Sequence, residues 1–243
     1  MISRYSLPIL AILGIASAKA ESPHVFGGSV TLTTEHVYQG FSLSDEKPAI
    51  QGGLDYAYTP LDFYAGIWST SIDIDADDGG IEIDYFGGFD GAFGSGLGWD
   101  VGIYYTSYPR SNDALEFYIL EFYGGLLYDF YSLPGKPSTT IYISYTDDDF
   151  GVETDDGVYI DGQLDFSLPY DMSLGVHAGY KYTEGEKGFA DIDYIDWKIN
   201  LSKQIIGFVL DFSYTTTTDQ ADACGFAPDA CDGRIIVSVS KFF

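Results

Sequence analysis

The chain has 243 residues, of which 37 are Asp or Glu and only 11 are Lys or Arg, a formal net charge of −26. Such an excess of negative charge excludes nucleic acid and anionic surfaces as partners and favours cations. High charge with little apolar content would point to disorder, but 46% of the residues are hydrophobic and 17% aromatic, so this chain folds.

Met1 to Ala20 opens with Arg4, runs apolar from Leu7 to Ile15 around Pro8, and closes on Ala18-Lys19-Ala20. A charged start, a short apolar run and an Ala-x-Ala site make residues 1–20 a signal peptide, cleaved to leave a mature domain at 21–243. Cleavage removes Arg4 and Lys19 and no acid, taking the charge from −26 to −28. The apolar run is too short to cross a bilayer, and no other stretch reaches about 18 apolar residues. With no Cys after the cleavage site, a lipid anchor is not expected.

The mature chain carries 29 Gly, 21 Tyr and 17 Phe against 2 Met, a β composition. Twelve segments of alternating character are predicted. They are Phe26–Val37, Ala49–Tyr58, Phe63–Ile72, Ile81–Phe89, Leu97–Ser107, Glu116–Phe130, Thr139–Thr146, Val158–Leu168, Met172–Tyr182, Tyr194–Lys203, Ile206–Thr216 and Arg234–Phe243. In the eighth, Val158, Ile160, Gly162, Leu164 and Phe166 alternate with Tyr159, Asp161, Gln163 and Asp165, one face for hydrocarbon and the other for water.

Connections alternate in length. Thr59-Pro60-Leu61 and Pro169-Tyr170-Asp171 are short, whereas Tyr38–Pro48, Asp73–Gly80, Tyr108–Leu115, Asp147–Gly157, Thr183–Asp193 and Thr217–Gly233 are long and acidic. Asp90–Gly96 and Tyr131–Pro137 are rather long for the short-turn side. A soluble sandwich also alternates, but its loops should be comparable at both ends. The layout predicts an all-β, transmembrane, antiparallel up-and-down barrel of about twelve strands in the bacterial outer membrane. Its turns would be periplasmic and its longer acidic loops extracellular.

Aromatics near the strand ends, Tyr58, Phe63, Trp99, Phe130, Phe166, Phe208 and Phe243 on one side and Tyr105, Tyr145, Tyr182, Tyr194 and Tyr214 on the other, would form two interfacial girdles. Outward aromatics suit lipid or a neighbouring copy in a homo-oligomer. In the last segment Ile235, Val237, Val239 and Phe243 share the lipid-facing parity, with Arg234, Ser238 and Ser240 turned to water. Val237, Val239 and the terminal Phe243 are the assembly signal that the barrel-assembly machinery would read. Lys241 shares the lipid parity and would snorkel to the headgroups.

Tyr38-Gln39-Gly40-Phe41-Ser42-Leu43-Ser44 through Pro48-Ala49-Ile50-Gln51-Gly52-Gly53-Leu54-Asp55-Tyr56 resembles the start of the TorF-type porins of proteobacteria. Phe63-Tyr64-Ala65-Gly66-Ile67-Trp68, Ile81-Glu82-Ile83-Asp84-Tyr85 and the aromatic C-terminus continue the likeness. The resemblance implies an outer-membrane channel with no catalytic residues and no cofactor. That family has Arg before the glycine where Gln39 precedes Gly40, so an anion-directed role there is not implied.

By parity the lumen receives Asp55, Glu82, Asp84, Asp100, Glu121, Asp161, Asp165, Asp196 and Asp211, opposed by Lys181, Lys198 and Arg234. An acidic passage of this kind favours cationic or neutral small hydrophilic solutes. The bases lie roughly across the barrel from Glu82, Asp84, Asp100 and Glu121, so a transverse field is one expectation and local pairing that fills a narrow lumen the other. Asp73, Asp75 and Asp77 offer alternate carboxylates for weak divalent binding, but Asp78 stands where a Ca²⁺ loop needs Gly. Cys224 and Cys231, both exported, are expected to close one loop as a disulfide. Of His24, His36 and His177, the first precedes the strands and the last faces the lumen, and no Gly-x-Ser-x-Gly elbow occurs, so no enzyme is expected. A channel is the first reading, and a non-conducting structural or adhesive barrel the second.

Overall fold

Residues 22–73, 80–94, 96–109, 118–149, 154–185, 190–218 and 228–243 are described by a computed structural model. Their strands are β1 (His24–Thr33), β2 (Val37–Tyr38), β3 (Phe41–Ser42), β4 (Ala49–Tyr58), β5 (Phe63–Ile72), β6 (Gly80–Ala92) and β7 (Leu97–Ser107). Then follow β8 (Tyr118–Asp129), β9 (Ser138–Thr146), β10 (Thr154–Leu168), β11 (Met172–Gly185), β12 (Ile192–Ile205), β13 (Phe208–Thr217) and β14 (Arg234–Phe242). All but β2 and β3 pair antiparallel with their neighbours in one closed barrel of twelve strands, β1 meeting β4 on one side and β14 on the other. Closure satisfies every edge, which a sheet standing in lipid requires. At the seam Val30 opposes Lys241 and Leu32 opposes Val239, and the Phe243 amide donates to the Gly28 carbonyl at 2.9 Å.

The period-two pattern decides which way each residue points. Ile141, Ile143, Ile160 and Val176 are exposed on the outer wall, whereas their neighbours Tyr142, Ser144, Asp161 and His177 are buried inside. An apolar exterior over a polar interior inverts the arrangement of a soluble domain and is that of a transmembrane barrel. The connections on one end are short: a 3-10 turn at Thr59–Leu61 closed by Asp62 at φ 51, and the pair Ile206-Gly207 at φ 51 and 75. Two residues with positive φ match the twist of a tight hairpin. The turn expected over Asp90–Gly96 shrinks because β6 runs on to Ala92, and Gly96 at φ 83 closes what is left.

Two expectations need correction. Tyr194 does not join an outer girdle; it shares Asp196's parity and is buried, packed beside Cys231. The first strand does not continue to Val37. Thr33 Oγ1 donates to the Glu35 carbonyl at 2.8 Å, and Thr34 takes over the last ladder position, its amide donating to the Val237 carbonyl at 2.9 Å and its hydroxyl accepting from the Val237 amide at 3.0 Å. These side-chain bonds end the strand and turn the chain inward. The connection expected as an outer acidic loop therefore places β2 and β3 inside the barrel mouth.

Candidate channel lumen

One side of the lumen is closed by tyrosines. Tyr64, Phe86, Tyr104, Tyr123, Tyr142 and Tyr159 project inward from six successive strands, β5 to β10, and pack into one cluster with Ala57. Glycine makes room: a Cβ at Gly88 would sit 2.5 Å from the Tyr64 hydroxyl, and one at Gly102 would sit 2.5 Å from that of Tyr123. The phenols find carboxylates. Tyr64 donates to Asp100 Oδ1 at 2.6 Å and Tyr142 to Asp100 Oδ2 at 3.1 Å, while the Tyr64 and Tyr123 hydroxyls bond each other. Tyr104 donates to Asp84 at 2.9 Å and Tyr159 to Asp196 at 2.8 Å. Glu82, Asp84 and Asp100 are fully buried. Hydrogen bonds to an ionised acceptor are among the strongest available, and here they let acids sit in a packed interior.

The bases are held on the other side. Lys181 pairs with Asp149 at 2.8 Å, and Thr183 donates to the same carboxylate at 2.5 Å. The Arg234 guanidinium pairs with Glu35 and also donates to the carbonyls of Asp232 at 2.8 Å and Asp229 at 2.5 Å. His177 stands between Asp161 at 3.6 Å and Asp196 at 3.5 Å. Lys198 lies in the field of Asp211, Asp196, Asp165 and Asp161. Asn200 donates to Asp211 at 2.7 Å, and Gln163 to Asp165 at 2.7 Å.

The inward hairpin crosses between these sides. Tyr38 faces Phe41 across the two-residue turn Gln39-Gly40, at φ 46 and 82. The Tyr38 hydroxyl donates to Glu121 of β8 at 3.1 Å and accepts from Gln39 Nε2 at 2.6 Å. A Cβ on Gly40 would collide with Thr217 of β13 and would lie 2.7 Å from Asp196 Cβ on β12, so the tip is pressed against the wall at β12 and β13. At its base His36 meets Gln51 at 3.2 Å and Glu82 at 3.7 Å and leans on Trp68. Phe41 packs against the buried pair Tyr194 and Cys231.

Below the hairpin remains a cavity of about 340 Å³, bounded above by His36 to Gly40 and reaching down to Phe242. Hydroxyls and amides line it, among them Ser173, Ser202 and Asn200, together with the carboxylates of Asp55, Asp165 and Asp211.

The residues expected in the lumen thus divide into two sets. Glu82, Asp84, Asp100 and Glu121 fall in the tyrosine-clasped part. Asp55, Asp165, Asp196, Asp211 and Lys198 line the cavity, with Asp161, Lys181 and Arg234 buried around it. Val239 and Phe243 are exposed on the outer wall, and Val237 is half-buried. Lys241 reaches the Gly207 carbonyl at 3.0 Å, over the Phe208 ring. Asp73 accepts from Lys47 at 2.6 Å, while Asp75 and Asp77 lie outside the described residues. Cys231 is buried and is not a free thiol; Cys224 lies outside the described residues. Sequence reasoning missed the tyrosine cluster, although Tyr123 and Tyr159 share the parity of Glu121 and Asp161 and could have been found by it.

The fold resembles solved outer-membrane barrels. The KdgM porin, alone and in complex with disordered oligogalacturonate, superposes with a TM-score of 0.59 at 11% identity over 89% of this chain and 99% of that one. An outer membrane channel from Pseudomonas putida F1 gives 0.50 at 14% identity over 92% and 97%. At such identities the likeness speaks for the fold. No curated protein matches the sequence. Residues 17–243 match the family model described as bacterial protein of unknown function (Gcw_chp), and the chain belongs to that family.

Proposed function

We propose that the protein is an outer-membrane channel for passive passage of small hydrophilic solutes, neutral or cationic. The observation that carries this is the cavity itself: a space inside a membrane barrel walled by aromatic and aliphatic side chains but carrying Asp55, Asp165, Asp196 and Asp211 beside the ammonium of Lys198. Carboxylates around a narrow aqueous space lower the entry barrier for cations and raise it for anions. Oligogalacturonate, the ligand seen with the KdgM porin, is a polyanion that such a wall would repel, so the solute proposed is of another class.

The narrower TorF-type assignment belongs with this proposal and rests on Tyr38 to Tyr56. So do the signal peptide at 1–20, reading of Val237, Val239 and Phe243 by assembly machinery, a Cys224–Cys231 bridge over the last loop, and association into a homo-oligomer. The second reading, a non-conducting structural barrel, is favoured by one observation, the hairpin that spans the lumen.

The test is the reversal potential of the refolded protein in a planar bilayer under a KCl gradient. A cation-selective potential that moves toward zero in Asp55→Asn/Asp165→Asn is expected. Anion selectivity would sink the charge argument, and absence of conductance the channel.

A further inference from the structure

We infer that passage through this barrel is set by the hairpin of residues 36–43 and not by the barrel wall, with Tyr38 and Gln39 as the residues that determine what passes. The inference rests on the channel reading above. Attachments at three points hold the hairpin in the lumen, no two of them to the same strand. At its root Glu35 pairs with Arg234 of β14. At its shoulder His36 engages Gln51 of β4 and Glu82 of β6. At its tip Tyr38 bonds Glu121 of β8, and Gly40 presses on β12 and β13. In the closed order of the barrel β8 lies four strands from β4 and five from β1, so the hairpin reaches well across the lumen.

Burial agrees with this. Tyr38, Gln39 and Ser42 are at most 9% exposed although the segment joins two strands at the barrel mouth, where a connection would ordinarily be solvated. His36 to Gly40 line the cavity, so a solute in it meets the Tyr38 phenol, itself bonded to Glu121, and the Gln39 amide. Both groups are uncharged donors and acceptors. The hairpin therefore adds discrimination by size and hydrogen bonding to that by wall charge.

The hairpin is also separable from the wall. The Leu43 amide donates to the His36 carbonyl at 2.9 Å, so the chain is already closed at the hairpin's base. Residues 37–42 can be excised and replaced by Gly-Gly without moving His36 or Leu43.

Single-channel conductance in planar bilayers is compared for the full chain, the Gly-Gly replacement of 37–42, and Tyr38→Ala/Gln39→Ala, which keeps the loop length. Folding of each is checked by the shift in gel mobility between unboiled and boiled samples. Emptying a side-chain-filled lumen should raise conductance about threefold in the replacement and about twofold in the double variant. A silent full chain beside a conducting variant overturns both, because nothing then passes through the native barrel. Two variants that conduct no better than a conducting full chain overturn it and leave the channel reading standing. Silence in all folded forms overturns both. If the replacement fails to fold, the double variant alone decides, by the same criterion.

Discussion

The two sides of the lumen use the same acid side chains to opposite ends. Around β5 to β9, Asp84 and Asp100 accept phenol hydroxyls within a packed aromatic cluster, and neither acid reaches the cavity wall. Around β10 to β14, β1 and β4, Asp55, Asp165 and Asp211 stand on the wall of a cavity among serines and amides. An acid on an inner wall is thus not in itself a feature of the passage. What stands beside it decides whether it is structure or surface: a bulky phenol fills the space and takes the charge's hydrogen bonds, whereas a serine leaves room for water.

The comparison breaks most severely at Tyr64. Only 1% exposed, it bonds both Asp100 and Tyr123. Tyr64→Ala empties a packed site and strips a donor from a buried acid, a loss of about 4 kcal/mol. Urea midpoints in lipid should show it, beside a change of less than about 0.5 kcal/mol for Ser202→Ala on the cavity side. Equal effects at the two positions would mean that the tyrosines are no more structural than the serines.

Arg234→Ala comes next. It strands Glu35, 5% exposed, at the root of the hairpin, and removing one partner of a buried pair costs about 3 kcal/mol. Replacing both, as Glu35→Leu/Arg234→Leu, should recover most of that stability, because two apolar groups leave no uncompensated charge. Failure of the double variant to recover would place the value of Arg234 in its bonds to the Asp229 and Asp232 carbonyls.

The barrel was legible in the sequence because its period of two is written in every strand; β4, β5 and β7 lie at the predicted bounds. Inward placement of Asp84, Asp100 and Glu121 followed from the same parity. Their partners did not, since Tyr64 meets Asp100 across 36 positions and Tyr38 meets Glu121 across 83. Periodicity says which way a residue points and nothing about which residue lies opposite. The hairpin was hidden for a related reason. Thr33 and Thr34 look like any strand residues, and only their side-chain bonds to Glu35 and Val237 reveal that the chain turns inward.

The smallest effect is expected where the geometry is just as good. Lys47 lies 2.6 Å from Asp73, and Lys181 lies 2.8 Å from Asp149, but the first pair is on an outer loop, with Lys47 57% exposed, and the second is 3% exposed on both partners. The hydrogen bond to Asp73, helped by Asp45, holds the Lys47 ammonium above its ordinary value of 10.5. Its contribution is therefore fully present below 10.5 and is lost only as pH rises through the raised value. At neutral pH the pair is intact, yet water and salt screen it, so Lys47→Ala should leave the urea midpoint unchanged at low and at high salt. Lys181→Met should instead cost as much as Arg234→Ala, because Asp149 has no water to fall back on. A loss at Lys47 equal to that at Lys181 would show that distance, and not burial, sets what an ion pair contributes in this barrel.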